Sequence, residues 1–304
     1  MKTIFIVFSI CLSILAGCSS KEPSPPPPKK QAESRVLVIG LIPEQNIFKQ
    51  VERYKPVADY IYKKTGYKIE LVALPMYGNV IDRFTDKHMD GAFFGSFVYT
   101  LAHAKLGVEV LVRPENLKGI STYHGLIFVR KDSGIISAKD MKGKRFAFVD
   151  KATTAGYLLP VAYFHQNNIT DYKTYFSETY FAGTHENAIH DVLDGKADIG
   201  AAKNTIYEKL EETDPRIRKK LLILQKSPDV PENPLGLRKD IDESVRQKLK
   251  EAFLDMAKNP EGKDVLRQFG ARRFIESADK DFEPVARYCE QIGLDLAAFD
   301  YGSE

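Results

Sequence analysis

The chain has 304 residues, of which 43% are hydrophobic, and its 44 basic and 41 acidic residues give a formal charge of +3. The charges are spread along the chain without a basic block, which disfavours nucleic acid as a partner. The part that follows an N-terminal export segment, roughly 270 residues, is long enough for two lobes of ordinary domain size.

The N-terminus is typical of an exported lipoprotein. A short apolar run over residues 4–15 is followed by small residues and Cys18. The run is too short to span a membrane. Because the arrangement resembles a bacterial lipoprotein signal, we expect a signal peptide over residues 1–17 and a lipid on Cys18. The proline-rich composition of residues 18–34 predicts an extended, semi-rigid tether.

Apolar runs alternate with helical patterns in the body of the chain. The first of these segments are residues 36–41, 56–65, 69–74 and 77–85. Pro56 is suited to the first turn of a helix, and Gly66 is suited to its end. The alternation predicts an α/β fold in which mostly parallel sheets are flanked by helices.

A weak internal repeat favours two similar lobes. The pattern of residues 79–92, a helix leading into a buried strand, returns at residues 187–200. Any two αβ units share such patterning, so coincidence remains an alternative. Because further helices follow, we expect the chain to build the first lobe over 35–122 and the second over 123–228. Residues 229–304 would then return to the first lobe and add the C-terminal helices, with two crossings as a hinge.

The segment after one predicted strand is suited to hold an oxyanion. Thr153 and Thr154 lie where a helix begins, so two hydroxyls, unpaired backbone N–H groups and the positive end of the helix dipole converge. Gly156 would leave room for the close approach of a ligand. An ordinary threonine N-cap is the alternative interpretation.

Other strand-to-helix junctions also carry polar donors. Tyr77 follows one predicted strand, Ser96 follows another, and His185 opens the helix of the second repeat copy. A phenol and an imidazole are unusual helix caps, and both can donate to phosphate-type oxygens. Since open α/β sheets bind ligands at such junctions, the pattern predicts a small tetrahedral-anion site built from neutral donors.

These motifs resemble the substrate-binding proteins of phosphate, phosphite and phosphonate ABC importers, a branch of the two-lobed type II periplasmic binding proteins. The resemblance rests on residues 75–78, 94–97, 121–124, 148–150, 153–157 and 183–186. It implies a ligand cleft between the lobes. It assigns ligand contacts to Tyr77, Tyr123, Thr153, Thr154 and His185, and it places Ser96, His124, Ala155 and Asn233 beside them.

The chain departs from members of this family that bind aminoalkyl phosphonates, which place carboxylates near the ligand's ammonium. Ile206 and Asn233 stand where such members have acids, and Ala155 replaces a frequent hydroxyl. An unpaired ammonium in a closed cleft would cost several kcal/mol, so an aminophosphonate is disfavoured unless Glu232 compensates. Phosphate, phosphite, a small alkylphosphonate and other anions remain open.

The resemblance implies a monomeric lipoprotein of the cell envelope, on the periplasmic face if the envelope is Gram-negative, that captures its anion by lobe closure. Its expected partners are the permease and ATPase subunits of an importer, and no cofactor or metal is expected. A sensing role with a membrane receptor is the alternative. An enzyme is not expected, because the sequence contains no His-Glu-x-x-His, Gly-x-Ser-x-Gly or P-loop pattern.

Overall fold

The structure is a computed structural model that describes residues 35–86 and 88–302. The expected signal peptide over 1–17 and the tether over 18–34, with its lipid on Cys18, lie outside the described residues. Among the described helices, none combines the length and the hydropathy that a membrane crossing requires.

The described strands and helices alternate along most of the chain. The strands are β1 Val36–Leu41, β2 Lys68–Ala73, β3 Gly91–Phe93, β4 Glu109–Asn116, β5 Thr122–Tyr123, β6 Gly125–Arg130, β7 Arg145–Phe148, β8 Glu178–Phe181, β9 Ile199–Lys203, β10 Leu221–Lys226, β11 Val230–Pro231, β12 Leu235–Leu237 and β13 Ala271–Glu276. The α-helices are α1 Ile47–Thr65, α2 Asn79–Thr85, α3 Ser96–Leu106, α4 Leu159–Gln166, α5 Tyr172–Tyr175, α6 His185–Leu193, α7 Asn204–Thr213, α8 Pro215–Lys220, α9 Glu243–Asp255, α10 Pro260–Phe269 and α11 Glu283–Gln291.

These strands form a first sheet of order β13-β4-β12-β3-β1-β2 and a second sheet of order β10-β6-β9-β7-β8. The core of each sheet is parallel, since β1 pairs with β2 and β3, and β7 pairs with β8 and β9. The chain passes from the first sheet to the second at β5 and returns at β11, and these two strands pair with each other. The predicted α/β fold with two helix-flanked sheets is confirmed.

The internal repeat has the same topology in both sheets. In the first copy α2 leads into β3, which pairs parallel to β1 and antiparallel to β12. In the second copy α6 leads into β9, which pairs parallel to β7 and antiparallel to β6. The two copies therefore occupy equivalent places, which favours a structural repeat over coincidence.

Aromatic packing holds the ends of the central strands in place. Phe93, at the end of β3, has its ring centroid 4.7 Å from that of Tyr54 on α1. Phe148, at the end of β7, lies 4.5 Å from Phe146 and 5.2 Å from Tyr172. Since these rings are buried or packed against the core, the loops that follow β3 and β7 start from rigid positions.

The first helix is longer than the sequence pattern predicts, because α1 begins at Ile47 and Pro56 lies inside it. Asn46 caps this start, and its side chain accepts from the N–H groups of Phe48 at 3.1 Å and Lys49 at 3.3 Å. The prediction of a start at Pro56 was wrong because a proline in a helix interior normally breaks it. Here the buried face of α1 packs on the first sheet and stabilises the helix through the proline.

A π-helical turn, Thr154–Leu158, connects β7 to α4. The Leu158 N–H donates to the carbonyl of Thr153, five residues earlier, at 3.1 Å. A Cβ atom on Gly156 would lie 2.4 Å from Cβ and Cγ2 of Val149. The space beside Gly156 is therefore filled by a core side chain, and the interpretation that this glycine leaves room for a ligand was wrong.

We predict that Gly156→Ala lowers the free energy of unfolding by about 1–3 kcal/mol, because the added methyl would overlap Val149. Urea unfolding followed by circular dichroism measures the change. Gly95→Ala is the matched control, since its added Cβ would meet Ile42 at an ordinary contact distance of 3.5 Å. Equal stability of the two variants would contradict this account of Gly156.

Candidate functional site

Polar side chains from both sheets lie at the carboxyl ends of parallel strands. Tyr77 lies between β2 and α2, and Ser96 opens α3 after β3. Thr154 opens the π-helical turn after β7, and His185 opens α6 after β8. All four residues are buried, at 4% exposure or less. The contacts described below join them into one network between the sheets.

Tyr77 and His185 face each other across the two sheets, with ring centroids 6.1 Å apart in an edge-on arrangement. The Tyr77 backbone N–H donates to the carboxylate of Asp150, in the second sheet's loop, at 3.3 Å. The buried Tyr77 hydroxyl has no hydrogen-bond partner among the described residues. A buried polar group left unpaired costs about 1–3 kcal/mol, so this hydroxyl is available to donate to a further acceptor.

Both rings are neutral hydrogen-bond donors. The Nδ1 atom of His185 accepts from the Lys203 backbone N–H at 3.2 Å, so the neutral ring carries its hydrogen on Nε2. Burial lowers the pKa of His185 to about 4, against an opposing effect of Glu44. Burial also raises the pKa of the Tyr77 hydroxyl well above its ordinary value, and the carboxylates of Glu44 and Asp150 raise it further. Neither ring changes its charge near neutral pH.

Thr154 connects the second sheet to the first turn of α3. Its Oγ1 accepts from the Phe97 N–H at 2.8 Å. Ser96 donates to the Pro231 carbonyl at 2.6 Å and hydrogen-bonds with the Tyr123 hydroxyl at 3.1 Å. The Tyr123 hydroxyl from the crossing strand β5 is therefore held by Ser96 at the start of α3.

Thr153 and Ala155 flank Thr154 but have structural contacts of their own. The Thr153 hydroxyl donates to the Asp150 carbonyl at 2.6 Å and does not cap the helix. Ala155 packs beside Gly125 of β6, where a Cβ atom on the glycine would lie 3.5 Å from that of the alanine. Of this predicted trio, Thr154 is the residue whose side chain reaches across to the first sheet.

His124 lies apart from the donors. Its ring nitrogen Nδ1 is 3.3 Å from a carboxylate oxygen of Asp229, and the imidazole is 24% exposed. Asn233 is buried, and its side-chain oxygen accepts from the Lys203 ammonium at 3.2 Å. Asn233 therefore belongs to a charged cluster around Lys203 that sequence reasoning missed.

Lys203 and Glu44 are the residues that the sequence patterns did not single out. Both lie at or soon after the end of a strand, as the predicted site residues do, since Lys203 ends β9 and Glu44 comes soon after β1. A charged residue at a strand end usually marks a solvated turn, which is why this position alone did not distinguish them. In the structure both are buried, at 4% and 5% exposure.

Further contacts close the cleft around the donors. The Asn46 N–H, at the start of α1, donates to the carboxylate of Glu186 on α6 at 3.1 Å. On another side Phe299 of the C-terminal segment packs between Phe97 of α3 and Tyr157, with centroid distances of 5.5 and 6.2 Å. The two sheets therefore contact each other around the site, and the polar side chains inside are shielded from water.

This arrangement can hold a small tetrahedral anion. The buried Tyr77 hydroxyl and the Nε2–H group of His185 are donors that suit phosphate-type oxygens. In the part of the chain that the structure describes, no group of three or more His, Cys, Asp and Glu side chains is placed to hold a metal ion.

Comparisons with known proteins agree with this geometry. Residues 39–282 match the family described as ABC transporter, phosphonate, periplasmic substrate-binding protein. The phosphonates-binding periplasmic protein of Escherichia coli K12 is 27% identical over 264 residues, which cover 85% of this chain and 77% of the relative.

Two solved structures have the same fold. A binding protein component of an ABC phosphonate transporter from Pseudomonas aeruginosa has a TM-score of 0.78 and 26% identity, covering 84% of this chain and 86% of its own. A Prochlorococcus marinus protein in complex with methylphosphonate has a TM-score of 0.75 and 21% identity, covering 86% of this chain and 99% of its own.

The family match extends over most of the described residues and includes both sheets. Its members are extracytoplasmic substrate-binding proteins of transporters and not enzymes. The site described above, which is suited to hold an anion and lies between two sheets, agrees with that role. The chain belongs to the family of periplasmic substrate-binding proteins of ABC phosphonate transporters.

Proposed function

We propose that this protein captures a small phosphorus oxyanion, either phosphate, phosphite or an alkylphosphonate, and delivers it to the permease and ATPase subunits of an importer. The observation that carries the proposal is the buried Tyr77 hydroxyl, which has no partner among the described residues and faces His185 across the sheets. One oxyanion between these residues would accept from both donors. The methylphosphonate complex of the Prochlorococcus marinus protein supports this ligand class.

In this proposal the protein is a monomer whose two lobes close on the anion. The first lobe comprises residues 35–122 and 229–304, the second comprises 123–228, and the pairing of β5 with β11 at the crossings supports a hinge there. A lipid on Cys18 would anchor the protein to the membrane. The tether over 18–34 would let the lobes reach the permease.

Capture would proceed by successive contacts with the two lobes. The anion would first meet the Tyr77 hydroxyl, which belongs to the first lobe. Closure would then place Thr154 and His185 of the second lobe against the anion and exclude water from the cleft. The exclusion of water strengthens each hydrogen bond to the charged ligand. The carboxylates of Glu44 and Asp150 lie near Tyr77, so these neutral donors must offset a locally negative field.

The proposal predicts opposite effects of Tyr77→Phe on binding and on stability. Affinity for the bound anion should fall about 10–100-fold, because a hydrogen bond to a charged oxygen contributes about 1.5–3 kcal/mol. The free energy of unfolding without ligand should stay unchanged or rise by about 1 kcal/mol, because the substitution removes an unpaired buried hydroxyl.

Isothermal titration calorimetry with methylphosphonate, phosphite and phosphate measures this binding, since the chain has no tryptophan to report it by fluorescence. Carried-over phosphate is first removed by unfolding, dialysis and refolding. Tyr207→Phe is the matched control, because Tyr207 is buried against Phe128, away from the donors. If wild-type protein binds none of the three anions, the proposed ligand class is wrong.

His185 should remain neutral at physiological pH in the ligand-free protein and should titrate near pH 4, because burial disfavours the imidazolium. Two-dimensional NMR of the histidine rings measures this pKa, and the resonance absent from His185→Gln identifies the residue. A midpoint at pH 6 or above would contradict the neutral-donor account.

The lowered pKa of His185 also makes the free energy of unfolding depend on pH. Because the folded-state pKa lies below the ordinary value of 6.5, the stabilisation of the neutral ring is complete above pH 6.5 and is lost as the pH falls toward 4. The total loss is on the order of 3 kcal/mol. The difference in unfolding free energy between wild type and His185→Gln should therefore shrink over this interval, and a constant difference would refute the shift.

A further inference from the structure

The Lys203 ammonium lies in a buried cluster of charges beside the oxyanion donors. Its Nζ atom is 3.0 Å from a carboxylate oxygen of Glu44, contacts the carboxylate of Glu232 and is 3.2 Å from the side-chain oxygen of Asn233. It also lies 4.3 Å from the ring centroid of Tyr123. These partners come from the loop after β1, the segment after β11 and the crossing strand β5, so Lys203 joins both sheets and the crossing.

Among the described residues, Lys203 is the salt-bridge partner of both Glu44 and Glu232. One ammonium faces two carboxylates, and the lysine and glutamate side chains are 5% exposed for Lys203, 6% for Glu44 and 17% for Glu232. Burial alone would lower the pKa of Lys203, but Glu232 and Glu44 outweigh it and raise the pKa, so the amine is charged. Lys203 is therefore the cation in direct contact with both carboxylates, while Arg53 acts on Glu44 without forming a salt bridge to it.

The Lys203 residue lies between the oxyanion donors and an outer cavity. On the inner side its backbone N–H donates to His185, and its ammonium covers the ring of Tyr123. On the outer side Glu44, Glu232 and Asn233 line a cavity of about 770 Å³, together with Lys203 itself. A substituent on an anion bound at Tyr77 and His185 would have to pass the Lys203 side chain to enter that cavity.

We propose that Lys203 is a specificity-determining residue whose ammonium occupies the place that the ammonium of an aminoalkyl phosphonate would take. This inference rests on the proposed function of the oxyanion site. Two ammonium groups cannot share Glu44 and Glu232 without repulsion, and the lysine side chain fills the space between them and the donors. The protein therefore selects phosphorus oxyanions that have no cationic group and rejects aminoalkyl phosphonates.

Removing the lysine should reverse this selection. In Lys203→Met the carboxylates of Glu44 and Glu232 lose their cation, while the oxyanion donors keep their side chains. An aminoalkyl phosphonate would then supply both the anion and the missing ammonium. A ligand without a cation would bind less well, because two uncompensated carboxylates would lie beside it.

The test measures the dissociation constants of methylphosphonate and 2-aminoethylphosphonate by calorimetry. Wild type should bind methylphosphonate more tightly. Lys203→Met should shift the ratio of the two constants by about tenfold or more toward 2-aminoethylphosphonate. The control is Lys209→Met, which removes an exposed lysine from the same cavity and should change the ratio by less than about threefold.

Because Lys203→Met buries two carboxylates without a cation, the double variant Glu44→Gln with Lys203→Met is measured beside it. It keeps Glu232 as the partner for a ligand ammonium and should show the same direction of shift. If neither variant folds, a wild-type preference for 2-aminoethylphosphonate still overturns the inference.

The outcomes separate the two proposals. Wild type that binds neither phosphonate, phosphite nor phosphate overturns the proposed function. Wild type that binds methylphosphonate and prefers 2-aminoethylphosphonate leaves that function intact but overturns the role of Lys203. The role of Lys203 is also overturned if the Lys203→Met protein folds and its ratio of the two dissociation constants equals that of wild type. A ratio shifted by about tenfold or more toward 2-aminoethylphosphonate in Lys203→Met, with a change below about threefold in Lys209→Met, supports the role.

Discussion

The structure depends on the satisfaction of buried charges and polar groups between two sheets. Lys203 at the end of β9 directly contacts the carboxylates of Glu44, in the loop after β1, and of Glu232, in the segment after β11. Ion pairs at such a place contribute little net stability, because desolvation offsets their attraction, but breaking them is costly. They join the end of β9 to the loop after β1, beside the oxyanion donors.

The side chains proposed to bind the anion are neutral hydrogen-bond donors. Their neutrality is important because carboxylates lie nearby. An arginine among Tyr77, Thr154 and His185 would be drawn to Glu44 and Asp150, whose carboxylates already act on the Tyr77 hydroxyl. Neutral hydroxyl, imidazole and amide donors make no such competing ion pairs. In a dry cleft their fixed dipoles are strong enough to hold an anion, and they discriminate by geometry more than by charge.

The sequence predicted the fold and the junctions better than the roles of individual side chains. Alternating patterns located both sheets, and the strand-end rule located Tyr77, Ser96, Thr154 and His185, because these signals are local. The bond from Thr153 to Asp150 and the filling of the space beside Gly156 by Val149 depend on tertiary packing, which no local pattern records. The same holds for Lys203, since a strand-end lysine differs from a solvated one only through distant partners.

The central claim is that one oxyanion lies between Tyr77 and His185. A crystal structure of the protein soaked or grown with methylphosphonate tests it most directly. The account predicts a phosphorus peak in the closed cleft, with phosphonate oxygens at hydrogen-bond distance, about 2.6–3.1 Å, from Tyr77 Oη and His185 Nε2. A phosphonate in the outer cavity beside Glu44, Glu232 and Asn233, with Tyr77 Oη still unpaired, would contradict it.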